Sequence, residues 1–181
     1  MNNYVNKREL RRVLLKQRRS LPYNQWRQKS DRIVSHLQTL SSFQSAQTIL
    51  AYFSFHQEPD LSPLFTTNRL WGFPRVEGKS LMWHFWQQGD KLETNRYGIE
   101  QPPADAPMVP PNSVDLILVP AVACDKRGYR LGYGGGFYDR MLNESQWSSP
   151  TTIGIVFDFA YLPQLPVDPW DKQLDFICTD I

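Results

Sequence analysis

Apolar residues recur at helical spacing from the start of the chain. Leu10, Val13, Leu14 and Leu21 share one side of a run that predicts an amphipathic helix over residues 4–19, with cations flanking its apolar stripe. Pro22 ends it, and Trp26, Ile33, Val34, Leu37 and Leu40 predict a second helix at about 24–40. From Thr48 the pattern changes to strands. TILAYFSF (48–55) is a β-branched and aromatic run stopped by His56 to Asp60, and Asp60 is placed to cap a short helix through Phe65. LWGFPRV (70–76) and SLMWHFW (80–86) predict two strands around the Glu77-Gly78 turn. DLILVPAVAC (115–124), TIGIVFDF (152–159) and LDFICTD (174–180) complete the set. Residues 100–113, with five prolines and no periodicity, read as a surface connection.

Strands alternating with helices, several of them continuously apolar, predict an α/β domain with a mostly parallel sheet and helices on both faces. The 181 residues with 41% apolar content suit one domain spanning 1–181. A chain of this size buries about 70% of the surface it exposes when unfolded, so neither a disulfide nor a structural metal is needed. Cys124 and Cys178 lack CxxC spacing, and His36, His56 and His84 are scattered, which excludes a zinc-ligand cluster written from these types. The first residues have no apolar core of a signal peptide, and no run approaches a membrane span. A soluble protein of a reducing, cytoplasmic compartment is expected.

The overall charge of +2 hides an asymmetry. Residues 1–20 hold seven cations and one anion, a net +6, so residues 21–181 carry −4. Lys7 and Arg11, four apart, project from one side of the first helix and could clamp a polyphosphate. A solvated basic face or a nucleic-acid patch explains the same residues, and a targeting presequence fits less well with a single Ser in the segment.

Chemistry concentrates in RLGYGGGFYDR, Arg130 to Arg140, which follows the strongest strand and opens a predicted helix, GGGFYDRMLNESQ. Glycines at 132, 134, 135 and 136 allow close backbone approach, so successive N–H groups can form an anion nest. The spelling excludes a Walker A loop, since Gly136 is followed by Phe137 and Tyr138, and it breaks the dinucleotide fingerprint because Phe137 stands at the last glycine position. A glycine turn that merely lets strand and helix pack is the plain alternative. Asp139 falls in the first helical turn, where it could complement the dipole or hold a Mg²⁺ that bridges phosphate oxygens. Asp171, in VDPWDKQ, is a second candidate, although Asp beside Pro is also ordinary turn chemistry. The 6 Trp, 8 Tyr and 10 Phe raise the question of a flat ligand. Phe53 and Phe55, with Glu58 in the next loop, leave the first strand at the carboxyl end, where open α/β sheets bind ligands.

Taken together, KRELR near the N-terminus, Glu58, PR at 74–75, YGIEQP at 97–102, RLGYGGGFYDR and PWD at 169–171 make the chain resemble the 5-formyltetrahydrofolate cyclo-ligase family over nearly its whole length. The glycine motif is specific to that family; KRELR and PWD carry weight only in this order. The resemblance implies an α/β sandwich of the ribose-5-phosphate isomerase and CoA-transferase kind. It also implies conversion of 5-formyltetrahydrofolate and ATP to 5,10-methenyltetrahydrofolate, ADP and phosphate with Mg²⁺. By the same resemblance Lys7, Arg8, Glu9, Leu10 and Arg11 would line the ATP phosphates together with Arg130, Leu131, Gly132, Tyr133, Gly134, Gly135, Gly136, Phe137 and Tyr138. Phe53, Glu58 and the loop Tyr133 to Phe137 would hold the folate, Asp139 and Asp171 the metal, and Arg130 would act in catalysis. Small molecules are then the expected partners of a monomer, with neither nucleic acid nor membrane. Three departures stand out: Gln101 where the family has Glu before Pro102, Trp170 where His often precedes the Asp, and a short segment between Glu58 and Pro74. The first two bear on local folate or metal contacts, and the third implies a trimmed surface helix.

Two other readings fit parts of the pattern. A basic helix with abundant aromatics also suits a single-strand nucleic-acid binder, although the cations are confined to one segment and no RRM or KH pattern occurs. A phosphosugar isomerase or acyl-CoA transferase could use the same architecture without consuming ATP.

Overall fold

The computed structural model describes residues 6–181. The first helix, α1, runs Lys7–Arg19, capped by the Asn6 side chain, which accepts from the Glu9 amide at 2.9 Å; residues 4 and 5 of the predicted helix lie outside the described residues. The second, α2, is Tyr23–Thr39, followed by the single turn α3, Ser41–Ser45. The main sheet comprises β1 (Thr48–Leu50), β2 (Leu70–Glu77), β3 (Ser80–Phe85), β6 (Leu116–Pro120), β9 (Thr151–Ile155) and β11 (Phe176–Cys178). Its order is β11-β9-β6-β1-β2-β3, parallel throughout except for the β2–β3 hairpin. A short pair, β4 (Glu93–Thr94) and β5 (Glu100–Gln101), lies apart. A second small sheet joins β7 (Ala123–Asp125), β8 (Arg130–Leu131) and β10 (Tyr161–Leu162).

Alternation along the central strands assigns their side chains to two cores. Ile49, Leu116 and Leu118 point to the face covered by α2 through Ile33 and Leu37, with Phe43, Trp71 and Phe73 in the same cluster. Leu50, Ile117 and Val119 point to the other face, covered by Met141 of α4 (Phe137–Leu142) and by Trp147. Both faces are thus buried, which is why these strands read as unbroken apolar runs. A third cluster lies between α1 and the small sheet, where Leu10 and Leu14 meet Ala123, Cys124 and Leu131.

Four predicted strands prove too long; of these LDFICTD is a strand only over Phe176–Cys178. DLILVPAVAC is two strands in two sheets, parted at Pro120 to Val122. TILAYFSF pairs only through Leu50, with Ala51 adding one backbone bond to Gly72, before the chain turns at His56 and Gln57, whose φ values are +49° and +56°. TIGIVFDF ends at Ile155 and continues into a 3₁₀ turn, Asp158–Ala160. The helix expected after the glycines has six residues and is succeeded by another 3₁₀ turn, Ser145–Trp147. After Asp60, whose Oδ1 accepts from the Ser62 amide at 3.0 Å, the chain likewise makes a 3₁₀ turn, Ser62–Thr66.

The proline-rich connection does more than cross the surface. Its Pro107 carbonyl accepts from Phe85 N and its Val109 amide donates to Trp83 O, each at 2.8 Å, so it covers the outer edge of β3. Prolines suit such a segment because only some of its amides need acceptors, and the cover removes an exposed strand edge.

Candidate active site

The carboxyl ends of β1 and β6 open into a cavity of about 770 Å³. Six segments wall it: α1, the chain leaving β1, the β2–β3 hairpin, residues 95–100, the glycine loop between β8 and α4, and the turn 168–171. This is the position that the parallel strand order assigns to a ligand.

Helical phase decides what α1 contributes. Lys7 and Arg11 reach the cavity, whereas Leu10 is 1% exposed inside the cluster with Leu14 and Leu131, and Arg8 and Glu9 lie on the solvent side. Arg8, Glu9 and Leu10, expected to line the site, do not border this cavity: Leu10 packs inward and the other two are exposed. Arg11 Nε donates to Gly132 O at 2.7 Å and so ties α1 to the glycine loop. Lys7 Nζ sits 2.6 Å from Asp168 Oδ2 and 2.5 Å from Asp171 Oδ2. Burial alone would lower the Lys7 pKa, but the hydrogen bonds and charges of the two aspartates outweigh it and raise the value.

The glycine loop follows a two-residue strand and turns sharply. Gly134 and Gly136 have φ of +104° and +68°, conformations closed to ordinary side chains. The amides of Tyr133 to Gly136 donate to no acceptor among the described residues, leaving a row of N–H groups at the cavity. Beneath them Arg130 is 6% exposed. Its guanidinium lies 5.3 Å from the Tyr138 ring centroid, and its Nη2 is 3.1 Å from Asp139 Oδ1, yet it makes no well-formed hydrogen bond with a described residue and its Nε is unpaired. A buried cation so lightly engaged is set to receive an anion.

On the opposite wall Glu58 is 4% exposed. Its Oε2 accepts from the Phe55 amide at 3.0 Å and its Oε1 from the Tyr133 hydroxyl at 3.1 Å. Burial pushes its carboxyl up to about 7, against the Arg18 charge, the Phe55 amide and the Tyr133 hydroxyl, all of which hold it down. Phe53 stacks on Phe73 with ring centroids 4.2 Å apart and leaves part of its surface on the cavity. Tyr97, Phe137 and Trp170 form an aromatic rim, with Trp170 64% exposed.

The cavity gathers Lys7, Arg11, Phe53, Glu58, the whole run Arg130 to Tyr138, Asp139 and Asp171. The two candidate metal ligands differ in their surroundings. Among the described residues no group of three His, Cys, Asp or Glu side chains stands close enough for an ion. Mg²⁺ commonly takes one or two carboxylates and completes its shell with substrate phosphates and water. Asp139 fits that pattern, since its buried Oδ1 meets only the Arg130 guanidinium at 3.1 Å and makes no well-formed hydrogen bond among the described residues. Asp171 does not, because its Oδ2 is held by Lys7 and by the Asp168 amide at 2.8 Å. Gln101 stands off the cavity, its Oε1 accepting from Val76 N at 3.1 Å and Asn95 Nδ2 at 3.2 Å, so this departure is a structural contact. The reading from sequence also missed Asp168, Tyr97 and the buried Arg18. Arg18 carries a signal, because positions 7, 11 and 18 fall on one helical stripe.

Comparison with known proteins identifies the family. Residues 3–180 match the model of the 5-formyltetrahydrofolate cyclo-ligase family. The chain is 30% identical over 178 residues to the 5-formyltetrahydrofolate cyclo-ligase of Escherichia coli K12, covering 92% of this chain and 96% of that one. It is 29% identical over 180 residues to the Haemophilus influenzae enzyme of the same name, covering 95% and 96%. The solution structure of Aquifex aeolicus 5,10-methenyltetrahydrofolate synthetase superposes with a TM-score of 0.85 at 33% identity, covering 96% of this chain and 89% of that one. With residues 3–180 matched by the family model and the E. coli enzyme 30% identical across 92% of this chain, the protein belongs to the 5-formyltetrahydrofolate cyclo-ligase family.

Proposed function

We propose that the chain converts 5-formyltetrahydrofolate and ATP to 5,10-methenyltetrahydrofolate, ADP and phosphate in this cavity. The observation that carries the ATP half is Arg130: a buried guanidinium with, among the described residues, a single ion pair, beside loop amides that have no acceptor there.

The formyl group on N5 is an amide, so its oxygen leaves poorly. Attack of that oxygen on the γ-phosphorus of ATP breaks the bond to ADP and turns the oxygen into a phosphate leaving group. The N10 lone pair then adds to the formyl carbon and closes the ring; the C–O bond breaks, phosphate departs, and N10 gives up its proton. Such a sequence asks for positioning and charge neutralisation more than for a titrating base. Arg130 and the amides of Tyr133 to Gly136 would face the charge on the transferring phosphoryl, and Arg11 would draw the polyphosphate toward the loop it already holds. Asp139 is the residue that would hold Mg²⁺ beside those phosphates, where the ion supplies charge neutralisation. Glu58 would accept a hydrogen bond from the pterin ring or N10, with Phe53 against the ring.

The direct test mixes the protein with 5-formyltetrahydrofolate, Mg²⁺ and ATP and follows the methenyl chromophore. Product without ATP, or none with it, would reject the reaction. Glu58→Gln should raise the KM for the folate and leave that for ATP alone; an effect confined to ATP would reverse the assignment. Because burial favours the neutral carboxyl, Glu58 is an acceptor above about pH 7 and loses this capacity as the pH falls through that value. The kcat/KM for the folate should fall with it. Arg11→Ala should raise the KM for ATP about ten-fold, the factor that ~1.4 kcal/mol represents, and the difference should shrink as salt rises. An unchanged KM would free Arg11 from the nucleotide.

Two features weigh against a nucleic-acid module. Lys7, Arg11 and Arg18 turn toward protein partners rather than solvent, and Arg18 is 3% exposed.

A further inference from the structure

Arg18 joins three segments that meet at the cavity without lining it. Its Nε donates to His56 O at 3.0 Å, its Nη1 to Ala121 O at 3.2 Å, and its Nη2 to the Tyr133 hydroxyl. The guanidinium lies over the Tyr133 ring, 5.5 Å from its centroid, and its Nη2 is 4.0 Å from Glu58 Oε1. These bonds turn its donors toward the protein, so any influence on a ligand passes through another residue.

Tyr133 is that residue. A phenol oxygen that accepts from a buried guanidinium has one hydrogen left to place, and an acceptor stands 3.1 Å away at Glu58 Oε1. The glycine loop that carries Tyr133 could otherwise aim the hydroxyl at solvent or ligand. The chain Arg18, Tyr133, Glu58 therefore has one polarity, and the Phe55 amide on Oε2 completes the hold on the carboxylate. We propose that Arg18 is a positioning residue: by donating to the Tyr133 oxygen it directs the phenolic hydrogen onto Glu58 and so fixes the carboxylate that meets the reduced pterin. This rests on the assignment of Glu58 given above.

The groups whose charges bear on Glu58 come from every side: Arg18 from α1, Tyr52 from the chain leaving β1, Tyr133 from the glycine loop and Tyr138 from α4. Arg18 is the cation among them, and burial keeps the three phenols above their ordinary values and protonated. Removing either Arg18 or the Tyr133 hydroxyl therefore makes Glu58 easier to protonate.

Arg18→Met, Tyr133→Phe and the double variant test this in the full chain. Each single change should raise the folate KM about ten-fold and move the acid limb of kcat/KM upward by about one pH unit, with the KM for ATP unchanged. The double variant should be no worse than Arg18→Met, because both changes cut one chain. Additive losses with a wild-type acid limb overturn the proposal. Should Arg18→Met not fold, Tyr133→Phe decides alone: an unmoved limb and folate KM overturn it. Carboxyl-¹³C titration of Glu58 without ligand separates the two layers. No shift in either variant refutes the role of Arg18, whereas a shift with an unchanged folate KM refutes the assignment of Glu58 to the pterin.

Discussion

Arg130→Ala should lower kcat by ~10²–10³, the loss typical for removal of one preorganised donor to a developing charge, while the protein remains folded. Among the described residues the buried guanidinium engages the fold through Asp139 and the face of Tyr138, so little of the architecture depends on it. The backbone of Arg130 stays paired with Cys124 in the small sheet. Steady-state kinetics beside a thermal melt separates the effects: a large fall in kcat with a small change in Tm is expected. Turnover near the wild-type rate would remove Arg130 from the chemistry. Arg130→Lys should recover only part of the loss, since a point charge lacks the planar fork that matches phosphate oxygens.

The second large effect is on the frame. Phe73→Ala should cost about 3–5 kcal/mol, a large share of the ~5–15 kcal/mol that holds a domain together. Phe73 is fully buried on β2, stacked on Phe53 and edge-on to Phe65 and Trp86, with centroids at 4.8 and 5.3 Å. The ring it supports, Phe53, is the one proposed to meet the pterin, so the surviving folded fraction should also show a raised folate KM. Denaturant unfolding gives the first quantity and kinetics the second. A loss below about 1 kcal/mol would mean that the site collapses around the void more completely than aromatic cores usually do.

The two long helices α1 and α2 and every strand of the main sheet were legible from periodicity, because this domain buries helices on one stripe and strands on both faces. What could not be read was where pairing stops. Ala51, Tyr52, Val122 and Val156 are as buried as the strands they follow, yet they lie beyond the strand ends. Composition reports burial, and hydrogen-bond pairing is a separate matter. The glycine loop was legible because positive φ leaves a spelling in glycine. Leu10 stands three residues from Lys7 on the same side of α1, yet it packs inward with Leu14 and Leu131 while Lys7 reaches the cavity, a difference that spacing alone does not show. The capture of Lys7 by Asp168 and Asp171, and of Tyr133 by Arg18, joins residues more than a hundred positions apart. No local pattern encodes such pairs.

The parting of one apolar run into two sheets at Pro120 to Val122 has a geometric consequence. A six-stranded sheet that ran on past this point would carry its own pleat across the space where the ligands are placed. Because the run diverges, the hollow is a gap between two frameworks, and α1 wedges the second of them in place through Leu10 and Leu14. Binding surface and scaffold are thus one object: the bend that ends the first framework also founds the chamber.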